Sequence, residues 1–313
     1  MADYITIDGG TSNTRVSLVR SGEVLYTEKL NFGARVGAAD KIAYAQGINT
    51  AICRVLERFS LTKKDISRVI ASGMITSEGG LIELSHLIAP TGIARLAENI
   101  HLSTVDGIPD FEIAFIRGVK TVGDDLADID MMRGEETELY GLTDKPVPDA
   151  LYVLPGSHSK LIYTDEQGRI NRFSTELTGE MIHALSSETI LSGSIDLKCS
   201  ELCTEFLISG CDYAAKHGIN AALFKVRILD KVKGASKNEL YSFFLGAILS
   251  FEIENIKNST ATTVIIGGKR ALKHATSVLL SSSGKKIIEI DDDAVDHAPA
   301  LGAVRIYESS LKN

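Results

Sequence analysis

The sequence predicts an α/β protein of two domains with an interdomain cleft, and three observations carry that expectation. Each half opens with an antiparallel strand pair joined by a turn of small residues. Each half later adds strand–helix units, and the pattern breaks between them at residues 142–148, Leu-Thr-Asp-Lys-Pro-Val-Pro. With 313 residues and 44% apolar content the chain is long enough to bury two cores of ordinary size.

In order, strands are expected at residues 4–8, 14–20 and 23–31, separated by Gly9-Gly10 and Ser21-Gly22, which reads as an antiparallel meander. Ile42, Ile48, Ile52, Val55, Leu56 and Phe59 recur at helical spacing, and residues 66–72 form a buried strand ending at Gly73. Residues 74–90 are irregular, contain Gly79-Gly80 and are long enough for a functional loop region. A strand at 111–116 and a mainly helical stretch over 124–142 complete a first domain placed at 1–145. The second domain, 146–313, opens with strands at 151–154 and 160–164, a turn at Asp165-Glu166-Gln167-Gly168, and a returning strand at 169–175. Helices follow, including 239–256 with an apolar stripe of Leu240, Phe243, Phe244, Ala247, Ile248 and Phe251. A strand at 262–266, a helix at 271–280, a strand at 286–290 and a last helix from Pro299 end the pattern.

Composition excludes several functional classes. A net charge of −8 with no long Lys/Arg run offers no footprint for nucleic acid. The start, with acid at Asp3 and only a short apolar run, does not read as a secretory signal. No stretch approaches the roughly 20 apolar residues of a membrane span, so no membrane partner is expected. Cys53, Cys199, Cys203 and Cys211 form no paired framework, which fits a reducing, cytoplasmic location. Cys199 and Cys203 with Cys211 nearby lack a fourth metal ligand and read as small buried hydrophobes.

Four segments carry chemistry. In Asp8-Gly9-Gly10-Thr11-Ser12-Asn13-Thr14-Arg15, glycines admit an anion to the backbone, hydroxyls can bond phosphate oxygens, and Asp8 can hold Mg²⁺. An ordinary hairpin turn is the bland alternative. Leu154-Pro155-Gly156-Ser157-His158-Ser159-Lys160 is a second small, hydroxyl-rich turn, so the pair could grip phosphates; a turn histidine and a solvated lysine are the alternative. Val264-Ile265-Ile266-Gly267-Gly268-Lys269 is a buried strand ending in glycines before a helix, suited to a flat ring lying on the backbone, or to plain packing. In Asp130-Met131-Met132-Arg133-Gly134-Glu135-Glu136-Thr137, carboxylates and a guanidinium meet, as a proton acceptor and a carboxylate-binding cation would; a solvated helix face is the alternative.

Together with Phe173-Ser174-Thr175-Glu176-Leu177-Thr178-Gly179-Glu180, these segments resemble the 2-dehydro-3-deoxygalactonokinase family over most of the chain. The first motif is shared with the wider actin/hexokinase superfamily, whereas Met-Arg-Gly-Glu-Glu-Thr and Pro-Gly-Ser-His-Ser-Lys are particular to the family. The resemblance implies ribonuclease H-like domains with the nucleotide between them, and transfer of the γ-phosphoryl of MgATP to the 6-hydroxyl of a sugar acid. ATP and Mg²⁺ are then the cofactors, and a sugar acid is the small-molecule partner, with a homodimer as candidate assembly. Gly10, Thr11, Ser12, Asn13, Gly156, Ser157, His158, Ser159, Lys160, Gly267 and Gly268 are expected at the nucleotide, and Asp8 at the metal. Glu135 is the expected general base, with Glu136 about 100° further round a helix. Arg15, Arg133, Gly73 and Met74 are expected around the sugar acid. Two departures from the family pattern bear on the acceptor: Gly9 replaces an aromatic residue, and Ser77-Glu78-Gly79-Gly80 lacks basic and amide side chains. A kinase for another sugar or sugar acid, a phosphatase, and a nucleotide- or sugar-binding regulator are the competing functions.

Overall fold

The computed structural model describes residues 2–199, 201–268 and 270–312. Strands β1 (Asp3–Gly9), β2 (Thr14–Arg20) and β3 (Glu23–Leu30) form the expected meander. Ser21 and Gly22 both have positive φ, 54° and 78°, the two-residue turn that matches the twist of paired strands. Helices α1 (Ala34–Ala39) and α2 (Lys41–Arg58) follow; Asp40 caps α2 by accepting from the Ala43 N–H. The crossover lets β4 (Ile66–Gly73) run parallel to β1. Next come β5 (Leu87–Ile88), α3 (Ile93–Glu98), β6 (His101–Val105), β7 (Ile108–Phe115), β8 (Val119–Thr121), β9 (Asp130–Met132) and α4 (Glu135–Leu142). The main sheet has the order β3-β2-β1-β4-β7-β6, and β5-β8-β9 form a small second sheet.

Alternate residues of β1 serve opposite faces. Ile5 and Ile7 enter a core with Ile48, Ile52 and Val55 of α2, whereas Tyr4 meets Tyr307 edge-on, with ring centroids 6.0 Å apart.

The remaining elements are β10 (Ala150–Leu154), β11 (Ser159–Thr164), β12 (Ile170–Glu176), α5 (Thr178–Glu188), α6 (Thr204–His217), α7 (Ile219–Ile228), α8 (Lys237–Asn258), β13 (Thr263–Ile266), α9 (Arg270–Leu280), β14 (Lys286–Glu289) and α10 (Asp292–Ser310). Their sheet has the order β12-β11-β10-β13-β14. β11 is antiparallel to β10, while β13 and β14 are parallel additions. Both sheets therefore place a meander beside parallel crossover strands, the duplication expected from sequence. In the second, α6 and α8 touch backbone to backbone, because a Cβ at Gly210 or Gly246 would collide with the Phe243 or Leu207 carbonyl of the other helix.

The chain folds as two compact units, residues 2–148, 164–173 and 293–312 in one, and 149–163 and 174–292 in the other. A division at 145/146 assigns residues 293–312 to the second half; they pack with the first. Glycine explains this: Cβ atoms at Gly141 and Gly302 would strike the carbonyls of Ala298 and Thr137, so α4 and α10 lie in direct backbone contact.

Three local expectations are corrected. Residues 124–142 are not mainly helical: Asp125 caps a single turn, β9 pairs with β8, and Gly134 at φ 115° interrupts the chain before α4. The last helix begins at Asp292, with Pro299 inside it, and the burial of Ala298, Pro299 and Ala300 outweighs the missing N–H. Phe251 is 61% exposed, and the neighbouring Glu252, 3% exposed, takes the buried place on α8. β6 was not foreseen; it is an edge strand with alternating partial exposure, which weakens its apolar signal. Cys211 is buried, Cys199 and Cys203 are partly so, and Cys53 is exposed. Among the described residues, no helix is long and apolar enough to cross a membrane.

Candidate functional site

In the first unit, three glycines at element ends meet. A Cβ at Gly73 would lie 2.6 Å from the Gly9 carbonyl, and one at Gly134 would lie 3.2 Å from the Gly73 Cα. Gly73 and Gly134 also have φ of 83° and 115°, where side chains are strained. Glycine thus lets the ends of β1 and β4 and the start of α4 converge. Gly9 has no room for the family's aromatic residue, since a Cβ would sit 2.7 Å from the Ile75 Cβ and 3.1 Å from the Tyr44 hydroxyl.

Beyond Gly9 the turn closes through the Gly10 N–H donating to the Asn13 carbonyl at 2.8 Å. The carbonyls of Gly10 and Thr11 accept from the N–H groups of Ala34 and Arg35, each at 3.0 Å, which anchors the turn on α1. Thr11, Ser12 and Asn13 are exposed. Asp8 is half-buried opposite Arg15, whose Nη1 donates to Asp8 Oδ2 at 3.4 Å. Burial raises the Asp8 pKa; Arg15 opposes this and the Glu135 charge adds to it.

The neighbouring carboxyls of α4 divide by environment. Glu136 is fully buried; its two oxygens accept from the Gly134 N–H at 3.0 and 2.8 Å, and Oε1 also accepts from the Thr137 hydroxyl at 3.1 Å. Burial, followed by the Glu135 charge, pushes Glu136 up to about 8. Glu135 is half-buried and makes one bond, accepting from the Arg133 N–H at 2.9 Å. Glu138, one turn on, is pushed up to about 8 by burial first and then by Glu135 and Asp8. The sequence reading missed Glu138, although an i, i+3 spacing from Glu135 places both on one helix face.

Arg133 occupies a different place from the one expected. Its Nη1 donates to the Thr76 carbonyl and hydroxyl, both at 2.7 Å, and its Nη2 to the Leu84 carbonyl at 2.9 Å and His86 Nδ1 at 3.3 Å. The guanidinium therefore pins the 74–90 loop. Burial, with Arg133 and Lys120 nearby, lowers His86 to about 4, which keeps the imidazole neutral as an acceptor. Met74 opens the turn of this loop, and its carbonyl accepts from the Ser77 hydroxyl at 2.6 Å.

In the second unit, the turn between β10 and β11 is clamped by α5. The Gly179 N–H donates to the carbonyls of Gly156 and Ser157, both at 3.1 Å, and the Glu180 N–H to Ser157 at 3.2 Å. A Cβ at Gly156 would meet only the His158 carbonyl at 3.8 Å, so packing does not demand glycine and the turn's face is open. His158 Nε2 pairs with Glu180 at 2.9 Å. Ser159 and Lys160 are buried, and Lys160 Nζ donates to the Thr175 hydroxyl at 2.5 Å. Gly267 is buried, and its N–H donates to the Val153 carbonyl. Gly268, with φ 76°, lies against Pro155, where a Cβ would come within 2.8 Å of the Pro155 nitrogen, so the second and third motifs are adjacent. Lys269 of that motif lies outside the described residues.

Among the described residues, no three His, Cys, Asp or Glu side chains converge as a metal-ligand set. A Mg²⁺ carried in with nucleotide phosphates needs only one or two protein carboxylates. The half-buried carboxylate of Asp8, at a strand end beside exposed hydroxyls, fits that demand.

The family described as 2-keto-3-deoxy-galactonokinase matches residues 8–302. The 2-dehydro-3-deoxygalactonokinase of Escherichia coli K12 is 26% identical over 263 residues, covering 83% of this chain and 82% of that one. A Rhizobium meliloti 1021 protein named "Probable 2-dehydro-3-deoxygalactonokinase DgoK1" is 25% identical, with 96% of each chain covered. A crystal structure from Sinorhizobium meliloti superposes with a TM-score of 0.80 at 23% identity over 98% of each chain, which shows the same fold.

Proposed function

Because the chain belongs to the 2-keto-3-deoxy-galactonokinase family, we propose that it transfers the γ-phosphoryl of MgATP to the 6-hydroxyl of 2-dehydro-3-deoxygalactonate. The observation that supports this most strongly is the glycine junction that brings Glu135, Asp8 and Arg15 into one neighbourhood. The junction presents an acid–base group, a carboxylate for a hard cation and a guanidinium in one place.

Glu135 accepts the proton of the acceptor hydroxyl. Glu136 is unsuited to this because its oxygens are already committed to Gly134 and Thr137. Asp8 would hold Mg²⁺, which when bound would neutralise charge on a transferring phosphoryl group. Arg15, about a third exposed and bonded to Asp8 only at 3.4 Å, retains donors for the carboxylate of a sugar acid. Arg133 acts indirectly, by fixing the 74–90 loop. In the second unit the open turn at Gly156 and Ser157 takes nucleotide phosphates, and Gly267-Gly268 lies under the nucleoside. The test is ADP release from a panel of sugar acids and neutral sugars, with the product's phosphate position read by NMR. Release with 2-dehydro-3-deoxygalactonate and phosphate on the 6-oxygen supports the assignment; preference for a neutral sugar refutes it.

A further inference from the structure

Glu252 is a buried acid inside an apolar helix. It is 3% exposed on α8, its Oε1 accepts from the Thr178 hydroxyl, and the Ser159 hydroxyl lies near the carboxyl. Oε2 is buried without a hydrogen-bond partner among the described residues. The two hydroxyls flank the clamped turn. Thr178 is the first residue of α5, whose next two N–H groups hold the Gly156 and Ser157 carbonyls. Ser159 closes the turn from the other side, its Oγ accepting from the Gly156 N–H at 3.4 Å. One carboxyl on a third element thus bonds the first residue of the clamping helix and sits beside the far edge of the open turn.

We propose that Glu252 is a positioning residue for the nucleotide's phosphates, holding the 156–159 turn in its binding geometry by bonding Thr178 at the start of the clamping helix, beside Ser159. The proposal rests on the kinase reading of that turn. Leaving an acid oxygen buried and unpaired costs free energy, and native proteins tolerate few such groups. An apolar residue at 252 would avoid that cost but would leave the buried Thr178 hydroxyl without its acceptor and α5 without this tether. Burial pushes the Glu252 carboxyl up to about 7, against the Thr178 bond and the nearby Ser159 hydroxyl and helped by the Glu176 charge. A neutral amide is consequently a close mimic, since its carbonyl oxygen can accept from the same hydroxyl.

Calorimetric titration of the full chain with MgADP, without acceptor, reads the effect independently of turnover. Glu252→Ala should raise Kd about tenfold or more, as loss of a buried hydrogen bond implies, while KM for the sugar acid stays within about twofold. Glu252→Gln should restore MgADP binding to within about threefold of the unaltered protein. Should Glu252→Ala unfold, Thr178→Val cuts the bonded link alone and should weaken MgADP by about fivefold. An unchanged Kd in the folded variants, or nucleotide and acceptor affinities falling together, overturns the proposal and leaves the kinase reading standing. No MgADP binding by the unaltered protein overturns both.

Discussion

Glutamine at position 135 and glutamine at position 136 should have opposite consequences. Glu135 has a single bond, from the Arg133 N–H to one oxygen, and the carbonyl of an amide can keep it. Glu135→Gln should therefore fold normally while losing the group proposed to accept the proton. General-base contributions are worth about 10²–10⁴-fold, and because the phosphoryl transition state is loose, the base acts late, so kcat should fall with little change in KM. Glu136 accepts from one N–H on both oxygens and from a hydroxyl, inside the protein. An amide there replaces one acceptor with an NH₂ facing the Gly134 N–H, a buried mismatch of about 1–3 kcal/mol. Glu136→Gln should thus lower the melting temperature by a few degrees and reduce kcat much less. The assay is coupled ADP release at saturating 2-dehydro-3-deoxygalactonate, alongside thermal unfolding of both variants. If Glu136→Gln is the slow, stable variant, the roles are reversed; if both turn over normally, neither carboxylate is the base.

Glu136 also sets a pH dependence of stability. Its folded pKa of about 8 lies above the ordinary 4.5, so the native state binds more protons than the unfolded state between those values. The contribution is fully present below about pH 4.5 and is lost as pH rises through about 8, at up to about 1.4 kcal/mol per pH unit. The melting temperature should fall from about pH 6 to about pH 8, and Glu136→Gln should lessen that slope, with Glu138 and Glu252, also raised, supplying the rest; a slope unchanged in Glu136→Gln would contradict the assignment. Arg15→Met should raise KM for sugar acids far more than for neutral sugars, whereas Arg133→Met, which frees the 74–90 loop, should weaken both; steady-state kinetics on a paired acid and neutral acceptor separates the two. Gly179→Ala places a Cβ 2.5 Å from the Gly156 carbonyl and 2.8 Å from the Ser157 Cα, so the turn must shift and MgADP affinity should fall about tenfold; unchanged calorimetry would show that the turn does not bind the nucleotide.

How much was visible in the sequence depended on whether a residue's constraint was local. Thr14–Arg20 appears as a strand because alternation and the Ser21-Gly22 turn lie within one stretch of chain. Gly9, Gly73 and Gly134 are conspicuous as glycines at element ends, but their mutual contact joins residues far apart in the chain. Arg133 could be recognised as a functional cation, yet its acceptors at Thr76 and Leu84 come from the preceding loop, and no spacing rule connects them. Thr178 and Gly179 stood in a family-like segment without a role until α5 was seen to clamp the Gly156 turn. Glu252 left a faint trace as an acid beside an apolar stripe, and the stripe's own phase, misplaced onto Phe251, concealed it.

The backbone contact between α4 and α10 also bears on the order of biosynthesis. Domains generally fold as units during synthesis, the N-terminal one first. Here the second unit is contained within residues 149–292 apart from the short return at 164–173, while the first needs residues 293–312 as well. The part of the chain made first is therefore the last to be complete. Until α10 emerges from the ribosome, α4 lacks the helix it packs on at Thr137 and Gly141, and Tyr4 lacks the ring of Tyr307.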